Sequence, residues 1–228
     1  MLCSAAFCGG ERVLLDLNFD DQIAGQSPKA WKCAWGTQDD DQLTVTSTRW
    51  VSNGNCMMLD RLTGANTKMW GMSTSFESGS SGFTFINFNI LIEGPANMAV
   101  FSIGLRGNHV KNDHLFLIRF KNLNGLLGPR KGGIKFRYET GRWYHVLLEI
   151  PNSPKDGKNI NFQWYPVGEK DKVVKGSVAH KFPKQSLGIM MLNTAPDKRG
   201  YQVFIDDLKI ATTSELNKTP KKAAAKKS

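Results

Sequence analysis

The 228-residue sequence predicts an all-β protein, a two-sheet antiparallel β-sandwich. Three observations carry that prediction. Many segments alternate apolar and polar residues with a period of two, which gives a strand one apolar face. Gly, Asn and Pro turns recur at short intervals between them. Almost no segment sustains a helical period, and no internal repeat is visible.

Taken in order, Leu15, Leu17 and Phe19 alternate with Asp16, Asn18 and Asp20, which makes a first strand. Pro28 to Trp31 then closes a loop. Short strands follow at Leu43–Thr46 and Cys56–Leu59, separated by the Asn53-Gly54 turn signal. The strongest stretch begins at Phe83, where Thr84, Ile86, Phe88, Ile90 and Ile92 share a parity opposite Asn87 and Asn89. Phe101, Ile103 and Leu105 oppose Ser102 and Arg106. Phe116, Ile118 and Phe120 oppose Arg119 and Lys121. Ile134, Phe136 and Tyr138 oppose Lys135 and Arg137. Tyr144, Val146, Leu148 and Ile150 oppose Trp143, His145 and Glu149. Ile160, Phe162 and Trp164 oppose Asn161, Gln163 and Tyr165, and later strands cover Leu187–Leu192 and Tyr201–Ile210. Short strands with one apolar face bury those faces by packing two sheets together.

Composition agrees with a folded domain: 40% hydrophobic and 22% charged residues are ordinary for a globular chain. No apolar run reaches the roughly 20 residues that span a bilayer as a helix. The expected organisation is a leader at 1–12, one sandwich domain at 13–212 and a basic tail at 213–228. The leader carries Cys3 and Cys8 and reads as the truncated end of a secretory signal, which implies a secreted, cell-surface or periplasmic protein. The formal charge is +10, and the tail contributes Lys218, Lys221, Lys222, Lys226 and Lys227 with no acid after Asn217. That tail reads either as a solvated, disordered end or as an electrostatic anchor to an acidic polymer, membrane surface or nucleic acid. With no aromatic residue interleaved, it gives no sign of specific base recognition. Cys33 and Cys56 fall on neighbouring predicted strands and are candidates for a disulfide in an oxidising compartment. Neither has the histidine spacing of a structural zinc site.

Two stretches resemble a known family. Gly141-Arg142-Trp143-Tyr144-His145-Val146 is similar to the Gly-x-Trp-Tyr-His-Val strand of laminin-G-like jelly rolls in the concanavalin A-like lectin and glucanase superfamily. Phe204-Ile205-Asp206-Asp207-Leu208-Lys209-Ile210 looks like its closing Ile-Asp-Asp-Val strand, and Leu17-Asn18-Phe19-Asp20-Asp21 like its opening one. The resemblance spans about residues 13 to 211, and its motifs are structural ones. It implies a jelly roll that binds carbohydrate without catalysis, acts on carbohydrate, or recognises protein as an adhesion module. Asp206 shares the parity of Phe204, Leu208 and Ile210 and is therefore expected to point inward. A buried carboxylate needs hydrogen bonds or a metal. In related sandwiches this position contributes to a structural calcium site, which here implies Asp206 with Asp20 or Asp21 as ligands. The competing reading is a carboxylate capping backbone amides.

The polar parities define the candidate ligand face. If their strands form one sheet, Asn87, Asn89, Arg106, Arg119, Lys121, Lys135, Arg137, Gln163 and Tyr165 share its solvent side. That is five cations with no acid, a surface suited to the carboxylates or sulfates of an anionic polysaccharide. The alternative is an ordinary solvated sheet face. An enzyme reading is weaker. The Glu-x-Asp-x-x-Glu pattern of laminarinase-type jelly rolls is missing, and Glu139 and Glu149 stand alone on their strands. A polysaccharide lyase needs a Tyr or His base and uronate neutralisers, for which Tyr165, His145, Arg137 and Gln163 are the candidates. The Arg-x-Glu-Leu-Arg and Gln-Ile-His motifs of alginate lyases are missing as well. His109 and His114 flank a loop that is either a binding rim or a plain turn. Phosphate-loop, serine-elbow and metalloprotease motifs are also missing. Trp31, Trp35, Trp50 and Trp70 read as core filler or as a sugar-stacking platform. The expectation is a non-catalytic binder of anionic polysaccharide.

Overall fold

A computed structural model describes residues 11–35, 43–51, 54–61, 70–96, 101–107, 116–128, 133–179, 187–194 and 200–213. The leader through position 10, the tail beyond 213, His109 and His114 lie outside the described residues. So do the side chains of Cys33, Trp35, Trp70 and Arg106.

The strands, in chain order, are β1 (Arg12–Leu17), β2 (Lys32–Trp35), β3 (Leu43–Thr46), β4 (Cys56–Asp60), β5 (Trp70–Ser75), β6 (Phe83–Glu93), β7 (Phe101–Gly107) and β8 (Phe116–Lys121). They continue with β9 (Asn124–Leu127), β10 (Ile134–Arg137), β11 (Trp143–Pro151), β12 (Asn159–Pro166), β13 (Val174–Ala179), β14 (Leu187–Thr194) and β15 (Gln202–Thr212). One sheet has eight strands in the order β13-β12-β11-β6-β15-β4-β3, with β1 also paired to β15. The other has seven, β10-β9-β8-β7-β14-β5-β2. All pairings are antiparallel. The expected β-sandwich is therefore present.

The alternating residues explain the core. Ile86, Phe88, Ile90 and Ile92 of β6 meet Val146, Leu148 and Ile150 of β11 and, from the opposite sheet, Phe101, Ile103 and Leu105 of β7 in one buried cluster. At one edge the sheets are joined by aromatic rings. Trp164 lies 4.5 Å from Phe136, 5.9 Å from Phe120 and 4.5 Å from Tyr144 between centroids. Ring pairs at such spacings contribute about 0.5–1.5 kcal/mol beyond area burial. Gly125 faces Phe136 across the β9–β10 pair, and a Cβ there would run into the Phe136 ring. The missing side chain makes the slot that the ring fills.

Two sequence expectations fail for topological reasons. The expected Cys33–Cys56 disulfide is not present: Cys56 faces the outer side of the eight-stranded sheet, away from the seven-stranded sheet that holds β2, and the Cys33 side chain lies outside the described residues. Cys56 is a buried free thiol. It packs with Leu91 and Phe204 in a second small cluster on the outer side of the eight-stranded sheet, and its thiol donates to Arg49 O at 2.7 Å.

Asp206 also points the other way from the expectation. A one-residue bulge interrupts β15, so that Asp206 pairs with Asn89 but Lys209 pairs with Asn87. Asp207 takes φ 50 at that bulge. An extra residue reverses the side-chain alternation beyond it. Val203 and Ile205 enter the main core before the bulge, and Leu208 and Ile210 enter it after, while Phe204 packs on the outer side. Asp206, paired with the outer-facing Asn89, lies on that outer side.

Candidate functional site

The candidate residues divide between the two outer faces. Arg119 and Lys121 alternate with buried Phe120, and Lys135 and Arg137 alternate with buried Phe136, so all four project from the seven-stranded sheet. Register arranges them as a quartet. Leu126 lies between Arg119 and Lys135, and Asn124 between Lys121 and Arg137. Neighbours two apart on a strand are about 7 Å apart, and positions two strands apart are about 10 Å apart. Lys121, Lys135 and Arg137 are exposed and Arg119 is half-buried. Strands β7 to β10 hold no Asp or Glu. Arg106 stands in β7 opposite Ile189.

The same rows run on into short side chains. From Arg119 the row crosses Ser102, Asn193 and Gly71, and the next crosses Gly104, Met191 and Ser73 to the exposed Lys32. These residues are mostly small, and Gly71, Ser102, Gly104 and Met191 among them are buried. Because Phe120 and Phe136 are locked against Trp164, the backbone that aims the four cations is fixed by the core.

Asn87, Asn89, Gln163 and Tyr165 are on the outer face of the eight-stranded sheet instead. The expectation that the nine residues share a single face is therefore corrected. Alternation was read properly within each strand, but β6 and β12 belong to a different sheet from β7, β8 and β10. For the same reason the lyase grouping splits: Tyr165, His145 and Gln163 lie together, and Arg137 is across the sandwich. Stacked sheets are about 10 Å apart, with these side chains pointing away from each other.

A hydrogen-bonded row crosses this second face. Tyr165 and His145 face each other across β12 and β11, with ring centroids 4.9 Å apart at 35°. His145 Nδ1 is 3.0 Å from Asn89 Oδ1 on β6, and Asn89 Nδ2 donates to Asp207 Oδ2 at 2.8 Å. A carboxylate only accepts, so Asn89 must turn its amide nitrogen to Asp207 and its oxygen to His145. His145 therefore carries its proton on Nδ1, and in the neutral ring Nε2 is an acceptor. Burial lowers the His145 pKa, nearby Lys170 lowers it further, and Asp207 opposes both. Burial raises the Tyr165 phenol. Lys170 is held beside the ring by a turn in which Arg142 and Lys172 both pair with Glu169. Asp207 and Lys170 were missed in the sequence, although the doubled Asp206-Asp207 in an otherwise apolar strand was the available signal.

Asp20 and Asp206 each hold the segment that follows β3. Asp206 is fully buried, and its two oxygens accept from Val51 N at 2.9 Å and Asp207 N at 2.8 Å. Exposed Asp20 accepts from Asn55 N at 3.0 Å beside Gly54, whose φ of 125 and lack of a Cβ admit the carboxylate. Exposed Asp21 pairs with Lys29 at 3.8 Å. Among the described residues, no three His, Cys, Asp or Glu side chains gather as a metal set. Each oxygen of the buried Asp206 carboxylate thus meets a backbone amide, which is the capping role that the sequence also suggested. Among the tryptophans, Trp31 is in the core, whereas Trp50 is 44% exposed.

No protein-family model matches the chain, and no curated protein matches it in sequence. Solved structures do match in fold. A marine PL-14 alginate lyase from Aplysia kurodai superposes with a TM-score of 0.62 at 11% identity, over 87% of this chain and 98% of that one. The catalytic domain of a glycoside hydrolase family 131 protein from Coprinopsis cinerea gives 0.60 at 12% identity, over 91% and 96%. Peanut lectin gives 0.52 at 10% identity, over 88% and 97%. The chain thus has the jelly-roll β-sandwich fold of these structures.

Proposed function

We propose that this chain is a non-catalytic carbohydrate-binding module that holds an anionic polysaccharide on the outer face of its seven-stranded sheet. The observation that carries the reading is the quartet Arg119, Lys121, Lys135 and Arg137, in strands that hold no acid. A planar guanidinium binds a carboxylate or sulfate through two parallel hydrogen bonds, and lysine adds an adaptable point charge. Kinship of fold with lectins and with enzymes of polysaccharide breakdown supports a carbohydrate ligand and does not distinguish binding from turnover. Counting against a lyase is the distance between a uronate held at Arg137 and the His145–Tyr165 pair on the other sheet. Calcium at Asp20 and Asp206 has no part in this reading. A polysaccharide ligand also implies a secreted or cell-surface site of action.

The test is binding of the full chain to polyuronates and sulfated glycans, beside R119A/R137A, with absorbance of unsaturated product followed in the same samples. Binding that weakens at least tenfold in the variant, without new absorbance, supports the proposal. Absence of binding to every anionic glycan overturns it, and turnover converts it to the lyase reading.

A further inference from the structure

The opposite face has its own chemistry, and it differs in charge. On the outer side of the eight-stranded sheet Lys170, Lys175 and Lys209 stand among Asp16, Asp60, Glu93, Glu149, Asp206 and Asp207, so acids outnumber these lysines. Several of these acids are already engaged: Lys209 lies 3.6 Å from Asp16, Glu149 accepts from Asn161 at 2.8 Å, and Asp207 accepts from Asn89. Such a face offers no net attraction to a polyanion.

What it does offer is planar polar groups around aromatic rings. Tyr165 is half-buried on β12, and half-buried Trp143 lies on the neighbouring β11, one row along on the same face. His145, in the same row as Tyr165, has Nδ1 committed to Asn89, and among the described residues its Nε2 has no partner. In the next row Gln163 and Asn87 flank Leu147, both half-buried, each with a carboxamide that donates and accepts. The Asn89–Asp207 pair fixes the imidazole orientation before any ligand arrives, which lowers the ordering cost of binding.

We propose that this face is a second saccharide subsite, for an uncharged, hydroxyl-rich sugar, built from Tyr165, Trp143, His145, Gln163 and Asn87. The apolar C–H face of a pyranose lies on the aromatic rings, a hydroxyl donates to His145 Nε2, and neighbouring hydroxyls exchange hydrogen bonds with the two carboxamides. With one ligand surface on each side of the sandwich, the domain bridges two glycan chains or two segments of one. The subsite does not depend on the anionic reading, since it shares no residue with the basic quartet.

Affinity electrophoresis of the full chain through gels cast with a mixed-linkage β-glucan, a xylan or a galactomannan tests the proposal. The expected result is retardation by at least one of the three. It should be lost, or reduced at least tenfold in apparent affinity, in Tyr165→Ala and His145→Ala, and unchanged in R119A/R137A. A wild-type protein retarded by none of them, or retardation that survives both subsite substitutions, overturns the proposal. If either variant fails to fold, titrating wild-type protein with the retarding glycan and following the His145 Nε2 resonance gives an independent reading. A resonance that does not move also overturns it. Loss of polyuronate binding with neutral binding intact separates the two surfaces.

Discussion

Asn89 on β6 and His145 on β11 meet across the sheet, amide oxygen to ring nitrogen, at 3.0 Å. The contact assigns the tautomer of the imidazole and leaves Nε2 as an acceptor. Burial and Lys170 hold its pKa below the ordinary 6.5, with Asp207 opposing. Unfolded chains therefore protonate this group more readily than the native state does. The stability it confers is complete above the ordinary imidazole value and is lost as pH falls from there through the lower native value. NMR titration of the ring should give a midpoint below 6.5. A midpoint at or above it would contradict the arrangement.

Asp206 anchors the chain that follows β3 through Val51 N and its own turn through Asp207 N. Asp206→Ala strands both amides and should cost about 2–4 kcal/mol in denaturant unfolding. Asp206→Asn keeps one acceptor and should cost less, about 1–2 kcal/mol. With a backbone amide on each Asp206 oxygen, EDTA should leave the Tm of the wild type unchanged. A drop reversed by calcium would return Asp20 and Asp206 to the role of metal ligands.

Burial, with a smaller push from Asp206, raises the Cys56 thiol to about 12. A thiol is nucleophilic as its anion, so Cys56 should resist modification in the native protein and react after unfolding. Mass spectrometry after brief alkylation, with and without denaturant, checks this at the Cys56 peptide.

Gly125 leaves the slot that Phe136 occupies. Gly125→Ala must displace that ring from Trp164, at a cost of about 1–3 kcal/mol for overpacking. Phe136→Ala should cost more, about 3–5 kcal/mol. Since Lys135 and Arg137 flank Phe136, both substitutions should also weaken anionic-glycan binding. A Gly125→Ala protein as stable as wild type would contradict the packing.

Binding by the quartet should be strongly salt-dependent. If a flexible polyanion behaves like a single-stranded nucleic acid, four contacts give a log–log slope of about −2.8, and R119A/R137A should reduce it by about 1.4. Isothermal titration from 50 to 200 mM NaCl, chosen as roughly the range over which such effects are large, measures it. A slope near zero would remove the electrostatic basis of the proposal.

Much of this was legible locally. Residues 83–92 announced an inward row of Thr84, Ile86, Phe88, Ile90 and Ile92, and the structure buries all five. The cations of β8 and β10 were recognised as one outward set with no acid. Strands β5, β9 and β13 were not singled out. Asn124–Leu127 is short and reached through a tight turn with φ 52 at Asn122 and 59 at Leu123, conformations that do not announce a hairpin when the residues are not glycine.

The sequence by itself determined which side of each long strand is apolar, because side-chain alternation is a property of a few consecutive residues. It also determined the all-β architecture and the acid-free character of β7 to β10. Only the tertiary structure decided that Asn87, Asn89, Gln163 and Tyr165 lie on the face opposite Arg119, Lys121, Lys135 and Arg137. It alone turned Asp206 from the core to the outer side. Sheet membership depends on pairing between strands distant in sequence, and one extra residue at Asp207 reverses every side chain beyond it.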